Sequence, residues 1–136
     1  MSENQQVVIP KVVQMISAKI LNQLMQTDCG IESAILTTED GFEVAVESVG
    51  EVDSSKLAAM ASSMSAISNM SVSESNLGTH YQSLIIESDR GYIVIMDVAC
   101  DKFPMILNIV ASKNTVLGQL LYHARGVVDA FNKKFS

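Results

Sequence analysis

Two short stretches of this chain, Ile93-Val94-Ile95-Met96 and Met105-Ile106-Leu107, are apolar at every position. They do not alternate as a strand with one wet face does. Successive side chains of a strand point to opposite faces, so such runs require a sheet covered on both sides at its centre. The chain has 136 residues, enough for one domain that buries roughly two-thirds of its unfolded surface.

The remaining elements arrange themselves around these strands. Residues 1–9 read as a flexible tail, and 10–134 as a single domain. Pro10 suits the first turn of a helix, where a missing N–H costs nothing. Val13, Ile16, Ile20 and Leu24 then recur at helical spacing, ending near Asp28, with Gly30 as a stop. Ile31 to Thr37 and Phe42 to Glu47 read as strands joined by the turn Glu39-Asp40-Gly41. The second alternates, with Phe42, Val44 and Val46 on one side and Glu43, Ala45 and Glu47 on a wet face. That pattern suits a sheet edge. Asp53 is a good N-cap for a second helix, ending somewhere in 71–78. Tyr81 to Glu87 and Tyr92 to Ala99 flank the turn Ser88-Asp89-Arg90-Gly91, and Met105 to Ala111 follows Pro104. Asn114 is expected to cap a last helix with the stripe Leu117, Leu120, Leu121, Ala124, Val128 and Phe131. Lys133 and Lys134 suit its C-terminus. The order is helix, two strands, helix, three strands, helix.

Several functions are disfavoured. The net charge is −6, against the Lys- and Arg-driven neutralisation of phosphates that nucleic-acid binding needs. The apolar runs are strand-sized, far short of the ~20 residues of a membrane span, so no direct membrane insertion is expected. The start, Met1 to Gln6, lacks the basic-then-apolar order of a signal peptide, and a cytoplasmic location is expected. Cys29 and Cys100 are too few and too distant for a zinc motif or a disulfide framework, and read as buried free thiols. His80 and His123 belong to no metal-binding or serine-activating spacing. Glu43 and Glu47 read as solvated, and Asp97 as the end of a strand. Gly118 and Gly126 form no phosphate loop and read as aids to close packing. No catalytic residue, cofactor or metal is expected, and the chain reads as no enzyme.

The second helix is the odd element. A covering helix has one apolar stripe and one charged face. This one has no charged residue between Leu57 and Ser73, and nine serines from Ser54 through Ser75. Leu57, Met60, Met64, Ile67 and Met70 form a core-type stripe. Ala58, Ala59, Ser62, Ser65, Ala66 and Asn69 form a second face of small residues, over which another helix can approach closely. The following segment, Tyr81-Gln82-Ser83-Leu84-Ile85-Ile86, carries no Pro or Lys to guard an edge. A symmetry-related copy could pair with it in an isologous interface. The expected contact residues are Leu57, Met60, Ala61, Met64, Ser65, Ile67, Ser68, Tyr81, Ser83 and Ile85.

These patterns resemble the Roadblock family, of the dynein light chain and bacterial small-GTPase regulator type. The residues that carry the resemblance are Ala34-Ile35-Leu36-Thr37 through Asp40-Gly41-Phe42, the Ala/Ser/Met helix from Leu57 to Met70, and Ser83-Leu84-Ile85-Ile86-Glu87 with Arg90-Gly91-Tyr92-Ile93-Val94. The resemblance implies an α+β, profilin-like fold of order αββαβββα. In it a five-stranded antiparallel sheet carries the second helix on one face and the two terminal helices on the other. It implies a homodimer made by the second helix and third strand, with a continuous sheet across both copies. It implies a non-catalytic regulator or scaffold for a Ras-like small GTPase, with a self-assembling adaptor lacking a GTPase partner as the alternative. Only Arg90 and Arg125 could serve as an arginine finger, and neither is expected to. Any activation is expected to come from repositioning the GTPase's own switch residues.

Overall fold

The protein is described from a computed structural model, which covers residues 9–27 and 30–135. Eight elements follow in the expected order: α1 (Lys11–Met25), β1 (Ile31–Thr38), β2 (Glu43–Ser48), α2 (Ser54–Glu74), β3 (Ser83–Ser88), β4 (Gly91–Val98), β5 (Met105–Ser112) and α3 (Leu117–Phe135). The five strands form one antiparallel sheet of order β2-β1-β5-β4-β3. The two runs that are apolar throughout, in β4 and β5, are neighbours inside the sheet, and β2 and β3 are its edges.

Both faces are covered. On one, α1 and α3 bury Leu21, Leu24, Leu120 and Phe131 against Leu36, Met96, Leu107 and Ile109. Each such side chain contributes roughly 1.5–3 kcal/mol of burial. On the other, α2 lays Ala61 over Ile95 and Ile106, with half-buried Met64, Leu84 and Ile93 around them.

Several boundaries differ from the sequence reading. Pro10 is the N-cap of α1, its carbonyl accepting from the Val13 and Gln14 N–H groups, and the helix stops at Met25 rather than near Asp28. Asp28 and Cys29 lie outside the described residues, as does the expected tail except for Ile9, which packs against the core. Asn114 does not cap α3. It sits in a turn, and the helix begins at Leu117. The last helix runs on to Phe135, whose buried ring stacks on Phe131. The strand expected from Tyr81 starts at Ser83.

The wet face expected for β2 needs correction. The register slips between Leu36 and Thr37, which pair with Ala45 and Glu43, so Val44 is the extra residue of a bulge. Val44 and Ala45 are therefore both buried, while Phe42 is exposed. α1 covers that side, and Asn22 donates to Glu47 across 3.3 Å. The turn itself is as expected. Gly41 has φ +90°, and a Cβ there would stand 3.3 Å from Ala59 and Ser62 of α2. Only glycine meets both demands at low cost.

Candidate functional site

The N-terminus of α2 follows from its sequence. The Asp53 carboxylate accepts from the Lys56 N–H at 3.1 Å. Its facing does not follow. The core-type stripe is turned away from the sheet: Met60, Ile67 and Met70 are 49%, 62% and 66% exposed, and Leu57 and Met64 are half-buried. The small residues Ala58, Ala61 and Ser65 are the ones buried. The cause lies beneath the helix. The sheet presents the large side chains of Ile95 and Ile106 there, so close packing requires small residues above them.

Tyr81 fixes the helix to the segment that leads into β3. Its backbone N–H donates to Asn69 Oδ1 at 3.0 Å, and its hydroxyl donates to Ser65 Oγ at 2.8 Å. Burial pushes the Tyr81 phenol up to about 12, against a smaller opposing effect of the Ser65 bond. Met64, half-buried beside Leu84 of β3, completes this seam.

β3 itself pairs only with β4, so its other side offers unpaired backbone N–H and C=O groups. Leu84 and Ile86 lie on the α2 face, opposite Ile95 and Ile93. Ile85 points to the other face and is 39% exposed. The ten expected contact residues thus separate. Met60, Ile67 and Ile85 are exposed, and Leu57, Met64, Ser68 and Ser83 are half-buried. Ala61, Ser65 and Tyr81 are buried within the chain, where they hold α2 against the sheet.

The chain's candidate chemical groups form no reactive set. His80 Nδ1 lies 3.0 Å from Asp97 Oδ2, the single ion pair among the described residues. Asp97 is therefore a paired side chain within β4 rather than merely a strand end. Burial raises the Asp97 carboxyl above its ordinary value, with the His80 charge and hydrogen bond opposing. The sequence held no signal for this pair, since 17 residues separate its members. Cys100 is a buried free thiol that donates to Asn132 Oδ1. Burial pushes it up as well. Among the described residues no cluster of three or more His, Cys, Asp or Glu side chains could hold a metal ion, and no helix is long and apolar enough to cross a membrane. Arg90 is exposed in the β3–β4 turn and Arg125 is exposed on α3.

The candidate site is thus a surface, an apolar helix stripe beside an open sheet edge, on a three-layer αββαβββα domain. Solved structures share this architecture. MglB of Myxococcus xanthus superposes with TM-score 0.82 at 13% identity over 95% of this chain and 94% of that one. The gliding protein MglB of Thermus thermophilus superposes with TM-score 0.81 at 15% identity over 98% of both. Profilin IB of Acanthamoeba castellanii is more distant, with TM-score 0.57 at 14% identity over 86% of this chain and 97% of that one. These likenesses define a profilin-like fold. The family is defined by sequence: residues 18–103 match the Roadblock/LC7 domain, and the chain belongs to that family. No curated protein matches the chain by sequence.

Proposed function

We propose that the protein is a homodimeric, non-catalytic regulator or scaffold for a Ras-like small GTPase, joined through α2 and β3. The observation that carries the dimer is the exposed apolar stripe of α2 beside the unpaired edge of β3. Met60, Met64, Ile67 and Leu57 would meet their counterparts, flanked by Ser68. Ser83 and Ile85 would lie along the joined strands, with Ala61, Ser65 and Tyr81 supporting the surface from below. An antiparallel β3–β3 pairing extends the sheet across both copies.

The GTPase as partner rests on membership of the Roadblock/LC7 family and on the resemblance to its GTPase-regulating members. Neither arginine belongs to the α2–β3 surface, so an effect on hydrolysis would arise by repositioning groups of the GTPase itself. Immobilised protein should retain a small GTPase of the same cell, with unequal affinity for its GDP and GTP forms. Retention of no GTPase in either form, with a different protein recovered, would defeat this part. The recovered protein would then favour a self-assembling adaptor. That second reading draws support from an MglB solved in a tetrameric arrangement, which superposes with TM-score 0.81 at 15% identity over 98% of this chain and 97% of that one.

A further inference from the structure

The charge of this chain is unevenly placed. α1 and α3 lie against each other on one face of the sheet. Together they carry Lys11, Lys19, Arg125, Lys133 and Lys134 against the single acid Asp129, a balance of +4 in a chain of −6. The rest of the chain therefore carries −10. All five cations are exposed, and none is ion-paired among the described residues.

The same layer exposes apolar and aromatic side chains that its own core does not use. Val12 and Met15 on α1 are 59% and 66% exposed, and Tyr122 on α3 is 75% exposed. One turn to either side of Tyr122 stand Gly118 and Gly126, where an added Cβ would meet nothing within 4 Å. Close packing inside the chain does not require these glycines, contrary to the sequence reading. They leave the outer side of α3 low around a projecting aromatic ring.

The dimer reading enlarges this surface, and the inference rests on that reading. Two strands that pair antiparallel are related by a two-fold axis normal to their sheet. Both α1/α3 layers then lie on one side of the joined sheet, as four helices with ten cations and two acids. Both α2 helices lie on the other side. Glu47 and Glu87 lie at the rim of the cationic face, as does the exposed pair Asp101 and Lys102 between Cys100, bonded to Asn132, and Phe103, packed on Phe135; Glu47 is already bonded to Asn22. Acids on the α2 side are a sheet and a helix layer away, beyond the Debye length of about 8–10 Å.

We propose that the α1/α3 face docks on a bilayer rich in anionic phospholipid. Lys and Arg would sit at the headgroup phosphates, while Val12, Met15 and Tyr122 reach the acyl boundary. A broad four-helix face matches a plane. A second copy offers no equally broad complement, since its acids are spread over several separate elements, among them the β1–β2 turn (Glu39, Asp40), the β2–α2 connection (Glu51, Asp53) and the β3–β4 hairpin (Glu87, Asp89). The contact is peripheral, with no segment crossing the bilayer.

The experiment is co-sedimentation of the full chain with phosphatidylcholine vesicles, with and without phosphatidylglycerol, at low salt and at about 0.15 M. Binding should require phosphatidylglycerol and weaken with salt. The double variant Lys19→Glu, Lys133→Glu should bind at least about tenfold more weakly, since each cation near such a surface is worth roughly fivefold. Its circular dichroism and mass should be unchanged. Binding indifferent to lipid charge, no binding, or an unaffected variant would overturn the inference. So would salt-sensitive higher oligomers that form without vesicles and vanish in the variant, which would assign the face to a second copy. Light scattering on the same sample separates the two readings. A dimer that ignores anionic vesicles overturns this inference alone, whereas a monomer that binds them overturns the dimer alone.

Discussion

Tyr81 does the most at the scale of single residues, because it ties the helix to the edge strand from inside the domain. Its phenol is held neutral by burial, up to about 12 against 10.0 in the unfolded chain. A raised value means that the folded state keeps the proton longer than the unfolded state. The associated stability is fully present below about pH 10 and is lost as pH rises towards about 12. Phenolate absorbance from Tyr81 should therefore appear only near pH 12, as the difference between the native protein and Tyr81→Phe. The same variant loses the bond to Ser65 and should be less stable by about 1 kcal/mol in urea denaturation. Asp97 behaves in the same sense, at acidic pH. Its carboxyl is raised by burial, so the charged form is the disfavoured one in the fold, despite His80. Stability falls as pH rises from 3.8 through the folded value. Asp97→Asn should raise the urea midpoint at pH 7, and the advantage should shrink as pH falls through the folded value and be gone well below 3.8, where both states are protonated. Neither behaviour was legible in the sequence. Tyr81 looked like a strand residue at an interface, and the His80–Asp97 contact arises only when β3 is laid beside β4.

At the scale of elements, periodicity was a good guide to existence and a poor guide to facing. Val13, Ile20 and Leu24 of α1 and Leu120, Ala124 and Phe131 of α3 are buried as their spacing predicts. α2 has two stripes, and spacing alone cannot say which faces inward. The larger stripe reads as core by default, since burying Met and Leu is worth more than burying Ala and Ser. The sheet decides otherwise, because Ile95 and Ile106 already fill the space beneath the helix. This ordering has a test in the protomer itself. Ala61, fully buried under the helix, has no room for extra methylenes. Ala61→Leu should cost about 1–3 kcal/mol by chemical denaturation. An unchanged midpoint would mean that α2 does not lie close on the sheet. Gly41→Ala should cost a similar ~1–3 kcal/mol, since it strains a φ of +90° and presses a Cβ on Ala59. The bulge at Val44 escaped the sequence for a related reason. Alternation in Phe42–Glu47 looked regular, and only pairing with β1 reveals the extra residue.

At the scale of the whole molecule, the question is what closes the sheet at β3. β2, the other edge, is bulged and carries Glu43 and Glu47, which discourages pairing. β3 has the sequence Ser-Leu-Ile-Ile-Glu-Ser with no bulge in its register and no basic residue or proline. Beside it Met60 and Ile67 stand in solvent, and scattered apolar residues become significant when they form one patch. If two copies close this edge, light scattering should give twice the chain mass, and the thermal midpoint should rise with protein concentration, because association stabilises only the folded state. Met60→Lys with Ile67→Lys should yield the monomer. Both side chains are exposed in the protomer, so the fold should survive and the circular dichroism should not change. Ile85→Lys tests the strand half separately, by placing a charge on the edge that must pair. A native chain that is monomeric at micromolar concentration, with a midpoint independent of dilution, would refute the joined sheet. Loss of mass in the helix variant but not in Ile85→Lys would leave a dimer held by α2 alone, with two sheets that do not merge.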